Sequence, residues 1–291
     1  MKITLLPGDG IGVEIVDAAV EVLDAAAKKF GMAIEYDRQL IGGAAIDAAG
    51  VPLPEATIAS AKNSDAVLLG AVGGPKWDNV APELRPEKGL LGIRKALGLY
   101  CNLRPIKVSR FVAHLSPLKN ERVEGTDMLI VRELTGGIYF GAKNEAAPNA
   151  DGVETASDVE IYTRPEVERI ARFAFEAAKK RRGKVTSVDK ANVLASSRMW
   201  RRIVGEMQAQ DYSGIELNNF YVDNCAMQLV LNPGQFDVVL TNNIFGDILS
   251  DEASVIAGSI GMLPSASLGD STGMYLSLIH ISEPTRHAQI S

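Results

Sequence analysis

The chain has 291 residues, of which 46% are hydrophobic and 23% charged, as is typical of globular proteins. This length provides for one large domain or two, and the net charge of −6 argues against a nucleic-acid partner. No apolar run is long enough to span a membrane and no signal peptide precedes the first strand, so we expect a cytoplasmic protein with reduced thiols at Cys101 and Cys225.

Predicted strands and helices alternate along the chain, which favours an α/β fold with a largely parallel sheet. Strands are predicted at 2–6, 33–38, 65–72, 128–132, 138–142, 184–188 and 236–241. The first helix has an apolar stripe of 3.6-residue period from Ile15 to Ala26, and Gly31 is expected to end it. Further helices are predicted around Pro52 and Pro54, and at 164–182, 195–208 and 245–257.

The glycine-rich segment after the first strand resembles a dinucleotide-binding fingerprint but lacks its spacing. Gly8, Gly10 and Gly12 follow a strand and precede a helix, whereas G-x-G-x-x-G requires its third glycine at position 13, which is Val. We interpret the segment as a tight turn that leads into the helix, and not as a Rossmann motif.

Two aspartates follow the apolar strand that ends at Leu240. Asp247 and Asp251 are four residues apart and therefore share one face of the predicted helix, where like charges repel. A divalent cation would remove the repulsion; the alternative is a solvated acidic first turn. The chain has three histidines and two distant cysteines, so any metal should be a hard ion held by oxygen. Asp223 is either a third carboxylate ligand or an N-cap.

Basic and phenolic side chains occur beside apolar segments. Arg94, Arg104 and Arg132 each require an anionic partner, which is either a bound carboxylate or phosphate or a structural Asp or Glu. Tyr139 is a general-acid candidate or a half-buried strand residue. Lys190 is an active group at the end of a strand or an exposed loop lysine.

Six motifs occur in the order and spacing of one family: Leu6–Gly12, Gly73–Trp77, Val131–Tyr139, Val188–Val193, Tyr221–Asp223 and Asn243–Ala253. Through them the chain resembles the β-decarboxylating dehydrogenases, which include isocitrate and isopropylmalate enzymes, from residue 1 to about residue 275. The resemblance implies the family's two-lobed α/β fold, which is not a Rossmann fold. Residues 1–104 with 257–275 would form the cofactor domain, and residues 105–256 a second domain with the dimer interface.

The resemblance also implies a reaction and the residues that perform it. The activity would be NAD-dependent oxidation and decarboxylation of a small 2-hydroxy acid, with Mg²⁺ or Mn²⁺, in a homodimer with shared active sites. Tyr139 would protonate the enol product, and Lys190 of the neighbouring subunit would assist removal of the hydroxyl proton. The implied substrate ligands are Arg94, Arg104 and Arg132, and the implied metal ligands are Asp247, Asp251 and, from the neighbour, Asp223, which also borders the substrate. The implied cofactor contacts are Gly73, Gly74, Asn192, Ile260, Gly261 and Pro264.

Substrate choice in the family depends on a short segment that here contains Glu87, Leu90 and Leu91, with Val193 closing the pocket from the partner. Leucine side chains favour an isopropyl group and offer nothing to a third carboxylate. The alternative is that Leu90 and Leu91 are core residues of an amphipathic helix. We expect isopropylmalate, an intermediate of leucine biosynthesis, as the substrate, in preference to isocitrate, tartrate or homoisocitrate.

The resemblance ends after Tyr275. The family continues with a His-Gly-Ser-Ala-Pro-Asp-Ile-Ala type of loop that holds the adenosine part of NAD, whereas here Ile281 follows His280 and no Pro-Asp-Ile comes after. We hypothesise that residues 276–291 are foreign to the family, which would leave the first domain incomplete. The competing hypothesis to an enzyme is therefore an inactive fragment that binds substrate, metal or dehydrogenase subunits without turnover.

Overall fold

The computed structural model describes residues 1–108, 110–111, 113–148, 151–258 and 264–276. The chain forms two compact units, which are Met1–Tyr100 with the described residues of Gly261–Ser291, and Cys101–Ile260. Their limits lie four residues from those expected at 104 and 256. The roles assigned to the two domains stay predictions.

Strands and helices alternate through most of both units, and the predicted α/β class with a largely parallel sheet is confirmed. The strands are β1 (Lys2–Gly8), β2 (Glu35–Arg38), β3 (Ala66–Ala71), β4 (Cys101–Lys107), β5 (Asp127–Glu133), β6 (Lys143–Pro148), β7 (Glu154–Asp158), β8 (Lys184–Asp189), β9 (Glu216–Tyr221), β10 (Val238–Thr241), β11 (Ser265–Leu268) and β12 (Gly273–Leu276). The helices are α1 (Gly12–Phe30), α2 (Gly42–Ala49), α3 (Glu55–Lys62), α4 (Pro86–Ala96), α5 (Asn120–Val123), α6 (Arg164–Lys179), α7 (Ala195–Asp211), α8 (Val222–Leu231) and α9 (Asn243–Ile256).

In the first unit, β1 is buried on both faces. The described strands have the order β2-β1-β3-β12-β11, which differs from the 3-2-1-4-5-6 order of the Rossmann fold. Successive side chains of a strand point to opposite faces, so Leu5 packs with Val16 of α1 while Leu6 joins a core cluster with Leu69. Gly31 caps the end of α1 in a left-handed conformation, as predicted.

In the second unit, four parallel strands bring their carboxyl ends to one edge of the sheet. The described order is β4-β5-β10-β8-β9, with β4 antiparallel to β5 and the other neighbours parallel. Helix α6 buries an apolar stripe that includes Val167, Ile170 and Ala174. Strands β6 and β7 form a separate antiparallel ribbon whose residues are all exposed.

The strand predicted at 138–142 is wrong. Residues Gly137–Tyr139 form a single 3₁₀ turn, because the backbone N–H groups of Phe140 and Gly141 both donate to the carbonyl of Gly137. Strands β4, β6, β7, β9, β11 and β12 were not predicted. The sequences of β4 and β9 place Asn, Arg, Glu and Lys among the apolar residues, so neither shows the apolar run by which β5 and β10 are recognised.

A buried aspartate ties the loop after α6 to the start of β10. Asp237 is 1% exposed, and its carboxylate accepts from Nε of Arg181 at 2.9 Å and from the backbone N–H groups of Arg182 and Lys184 at 2.9 and 3.2 Å. Arg181 also donates from Nη2 to Asp127, at 2.6 Å, where β5 begins. One arginine thus links two adjacent strands.

We predict that Asp237→Ala lowers the free energy of unfolding by about 3 kcal/mol, because it leaves a partly buried guanidinium and two N–H groups without their acceptor. Asp127→Ala is the matched control, since it removes the other partner of Arg181. The Asp127 side chain is 45% exposed, so its loss should be about 1 kcal/mol or less. Urea unfolding followed by circular dichroism measures both variants, and equal losses would contradict the prediction.

Candidate active site

Arg132 lies buried at the carboxyl end of β5 and is held by the first turns of α9. It is 6% exposed, and its Nε and Nη2 both donate to Oδ1 of Asn243, at 3.2 and 2.7 Å. Its Nη1 donates to the carboxylate of Asp247. The other Asp247 oxygen accepts from the Tyr139 hydroxyl at 2.8 Å, and the guanidinium carbon lies 5.8 Å from the Tyr139 ring centroid. Three predicted site residues therefore form one cluster.

Asn243 is a member of this cluster that the sequence reasoning missed. It is 1% exposed; its Nδ2 donates to the carbonyl of Gly136 at 3.1 Å, and its backbone N–H donates to the hydroxyl of Tyr162 at 2.9 Å. Because every one of these groups is engaged, Asn243 fixes the plane of the Arg132 guanidinium. The sequence signal for Asn243 was its position just after a buried strand, in the same motif as Asp247 and Asp251.

Gly246 allows α9 to approach β5 and β10 closely enough for these contacts. A Cβ atom at this position would lie 2.2 Å from Oγ1 of Thr241 and 2.6 Å from Cγ of Arg132. Asn242 sets the start of the helix, since its side chain caps it by accepting from the N–H of Phe245 at 2.9 Å.

A second arginine faces the other aspartate of α9. Arg104 of β4 is 8% exposed and donates from Nε to Asn102 at 3.0 Å, while its Nη1 lies 3.7 Å from Asp251. Asp247 and Asp251 share one face of α9 as their spacing predicts, and their side chains are 33% and 26% exposed. Two guanidinium groups offset their repulsion, so each arginine has an aspartate partner, and these aspartates are the expected metal ligands.

Lys190 and Asp223 form a separate pair. Lys190 directly follows β8, and its Nζ lies 2.5 Å from Oδ1 of Asp223. The N-cap interpretation of Asp223 is wrong, because Tyr221 occupies the N-cap of α8 and Asp223 is the second helical residue. The Lys190 ammonium, which donates to Asp223, holds the pKa of that carboxyl below its usual value. Among the described residues, no three Asp, Glu, His or Cys side chains are arranged to hold a metal.

The residues expected to define substrate choice differ in burial. Leu90 of α4 packs partly buried against the core cluster of the first unit, which favours its interpretation as a core residue. Leu91 is 38% exposed and Val193 62% exposed. Arg94 is buried near the end of α4, and Glu87 is half-buried in its first turn.

The expected cofactor residues lie in loops. Gly73 and Gly74 follow β3, Asn192 is exposed after β8, and Pro264 is exposed before β11. Ile260 and Gly261 lie outside the described residues. Glycine at both positions after β3 leaves that backbone free of side chains, as the close approach of a dinucleotide requires.

The comparisons with known proteins agree with this architecture. A family model described as isocitrate/isopropylmalate dehydrogenase matches residues 2–288. The chain belongs to the isocitrate/isopropylmalate dehydrogenase family. The 3-isopropylmalate dehydrogenase of Bacillus licheniformis is 57% identical over 284 residues, which are 97% of this chain and 76% of the relative. The chloroplastic 3-isopropylmalate dehydrogenase 2 of Arabidopsis thaliana is also 57% identical, over 97% of this chain and 69% of the relative.

Solved structures in the isocitrate/isopropylmalate dehydrogenase family have the same fold. The isocitrate dehydrogenase of Methylococcus capsulatus matches with a TM-score of 0.83 at 35% identity, covering 97% of this chain and 78% of that one. A β-decarboxylating dehydrogenase of Thermococcus kodakarensis matches at 0.76 and 39%, covering 97% and 76%. The fold type predicted from the motifs is confirmed. Residues 277–291 lie outside the described residues, and their foreign origin stays a prediction.

We predict that Lys190→Met raises the pKa of Asp223 toward the ordinary value of an aspartate, because the ammonium that donates to the carboxylate is removed. Carbon-13 NMR titration of the Asp223 carboxyl measures the change. Lys184→Met is the control, since Lys184 lies 3.5 Å from a different carboxylate, Glu216. An unchanged Asp223 pKa in Lys190→Met would show that the pair does not form in solution.

The sign of the linked stability effect follows from the lowered pKa of Asp223 in the folded state. The pair contributes stability above the unfolded-state pKa, and this contribution is lost as the pH falls through the folded-state value. The Asp223 side chain is 61% exposed, so the contribution is small.

Proposed function

We propose that the chain is a 3-isopropylmalate dehydrogenase, which converts (2R,3S)-3-isopropylmalate to 4-methyl-2-oxopentanoate and CO₂ with NAD⁺ in leucine biosynthesis. The observation that carries the proposal is the cluster of Arg132, Asn243 and Asp247 at the ends of β5 and β10, in a chain whose close relatives bear that name. It combines a preorganised guanidinium for a carboxylate with carboxylates for a cation.

The substrate is a dicarboxylate, and the arginines match it. Arg104 and Arg132 are anchored on strands by Asn102 and Asn243, so their forks are oriented before a ligand arrives. The family resemblance implies Arg94 of α4 as a further ligand of the substrate. The exposed leucine side chain of Leu91 supports an isopropyl group over a third carboxylate.

The donor set fits a hard divalent cation such as Mg²⁺ or Mn²⁺. Asp247 and Asp251 would hold it with carboxylate oxygens from one helix face, and Asp223 of the partner subunit would complete the set. When bound, the cation acts as a Lewis acid that stabilises negative charge on the oxygen at C2. Asp247 and Asp251 are partly exposed, so a cation can reach their carboxylates from solvent.

Two side chains would move protons, and bound NAD⁺ would supply the acceptor for the hydride of C2. Lys190 of the partner subunit would take the C2 hydroxyl proton as a neutral amine, after its ammonium has released a proton to solvent. The contact with Asp223 favours the charged form and would have to break first. Tyr139 carries its proton on the hydroxyl oxygen beside Asp247 and delivers it to the enol after CO₂ has left.

Exposed apolar side chains on two neighbouring helices support a homodimer. On α8, Met227 and Leu231 are 55% and 57% exposed, and on α9, Ile248 and Val255 are 58% and 45% exposed. Such a patch fits a second copy of the same surface. The ribbon of β6 and β7 supports the same proposal, since an isolated hairpin is only marginally stable in water.

The cellular location that fits this proposal is the cytoplasm. No helix in the part of the chain that the structure describes is long and apolar enough to cross a membrane. Cys101 and Cys225 are buried thiols, and burial raises the pKa of Cys225 to about 12, which makes it inert. Unpaired cysteines are usual in a reducing compartment.

The activity is tested by NADH formation from 3-isopropylmalate, Mg²⁺ and NAD⁺. Two proteins are assayed: the 291-residue chain, and a chimera of residues 1–275 with the C-terminal part of the Bacillus licheniformis relative. We expect turnover by the chimera and a loss on the order of 10²-fold or more in its Asp247→Ala variant. Isocitrate and tartrate are the substrate controls.

Each outcome has one meaning. A silent chimera, or one that prefers isocitrate, contradicts the proposed function. Turnover by the chimera beside a silent 291-residue chain supports the function and identifies the shorter chain as an inactive form.

Shared active sites predict complementation between inactive subunits. Lys190→Met and Asp247→Ala should each abolish turnover, because each removes one half of every site. In a refolded equimolar mixture, half of the dimers are mixed and each holds one intact site, so about a quarter of the unmodified activity should return. Recovery is measured with the NADH assay on dimers verified by mass. Verified mixed dimers without activity would contradict shared sites.

A further inference from the structure

The motif Leu6–Gly12 takes no part in the chemistry above, yet its aspartate is almost completely buried. Asp9 is 3% exposed and lies in the turn between β1 and α1. Its Oδ2 accepts from the backbone N–H groups of Gly43 and Gly73, each at 2.8 Å, and its Oδ1 accepts from that of Ala44 at 2.7 Å. A buried carboxylate is tolerated when its oxygens are satisfied in this way.

These three hydrogen bonds join three loops at the carboxyl ends of parallel strands. Gly43 and Ala44 belong to the first turn of α2, where the helix dipole favours a negative charge. Gly73 follows β3 and has a φ of 109°, a conformation that glycine allows. The backbone N–H of Asp9 also donates to the carbonyl of Ala71 at 2.7 Å. Asp9 therefore fixes where the Gly73–Trp77 loop leaves the sheet.

The loop so fixed is packed against two further groups. A Cβ atom on Gly73 would lie 3.0 Å from Oε1 of Glu87, so the Gly73 backbone faces that carboxylate. The Trp77 ring covers Gly43 and Gly74, where Cβ atoms would come within 2.3 and 3.3 Å of it. The environment of Trp77 thus reports whether the loop keeps its place on α2.

We propose that Asp9 is a positioning residue for the nicotinamide cofactor. Its buried carboxylate holds the Gly73–Trp77 loop against α2 and beside Glu87, in the shape that receives NAD⁺. The inference rests on the proposed function, because that function supplies NAD⁺ as the ligand of the loop. A merely structural role for Asp9 would weaken the fold without acting selectively on cofactor binding.

Two substitutions separate these roles. Asp9→Ala removes every acceptor, whereas Asp9→Asn keeps one oxygen that can still accept from Gly43 and Gly73. Asp17→Asn on α1, which breaks an exposed pair with Arg38, is the matched control. Each variant is made in the 291-residue chain and in the chimera, and also with Trp77→Phe, so that the signal of Trp200 can be subtracted.

The readouts are acrylamide quenching of Trp77, the Kd for NAD⁺, and the Kd for 3-isopropylmalate with Mg²⁺. For Asp9→Ala we expect at least twofold stronger quenching and about tenfold weaker NAD⁺ binding, with the substrate Kd unchanged within twofold. Asp9→Asn should recover most of both losses, and Asp17→Asn should match the unmodified protein. Normal NAD⁺ binding by Asp9→Ala, or equal weakening of substrate and NAD⁺, overturns the inference.

Hydrogen exchange keeps the inference testable if Asp9→Ala does not fold. In the unmodified chain the Gly73 amide should be protected, and its exchange should accelerate in a folded Asp9 variant; an unprotected Gly73 amide overturns the inference. The proposed function fails separately. The proposed function is contradicted if the unmodified chimera does not bind NAD⁺. Undisturbed NAD⁺ binding in Asp9→Ala contradicts only the positioning role of Asp9.

Discussion

The candidate site depends on one buried guanidinium, that of Arg132, whose N–H groups all need hydrogen-bond acceptors. Arg132 ends a central strand at 6% exposure, and a guanidinium so removed from water is tolerated only when its donors are engaged. Asn243 and Asp247 engage them, which requires α9 to begin directly after β10 and to pass close to β5. Gly246 makes that approach possible. The position of Asp247, one of the proposed metal ligands, therefore follows from the partners that Arg132 requires.

The first unit also contains a buried charge whose hydrogen-bonding groups are satisfied, but here the charge is negative. Asp9 is buried at the ends of β1 and β3, and three backbone N–H groups satisfy it in place of a cation. In both units a buried charge joins loops at the carboxyl ends of parallel strands, which is where α/β proteins bind ligands. The loops are thereby oriented before any ligand arrives, and preorganised groups of this kind act most strongly on developing charge.

The charged side chains of the proposed site occur in pairs of opposite charge. Arg132 faces Asp247, Arg104 faces Asp251, and Lys190 faces Asp223. A dicarboxylate alone would compete with the aspartates for the arginines, and a cation alone would compete with the arginines for the aspartates. Together they replace each arginine–aspartate pair by two new pairs of opposite charge. Substrate and metal should therefore stabilise one another's binding, because each removes the charge that the other leaves unmatched.

The sequence by itself determined the α/β class, the strands of apolar character such as the one that contains Arg132 and the one that follows Asp237, and the common face of Asp247 and Asp251. These features depend on local periodicity, which a single segment carries. It did not determine the turn at Gly137–Tyr139, the strands β4 and β9, or the roles of Asn243 and Asp9. The bonds of Arg132 to Asn243 span 111 residues, and that of Gly73 to Asp9 spans 64. Only the tertiary structure decided these contacts. A polar side chain is buried where folding places a hydrogen-bond partner beside it, and that partner can be distant in sequence.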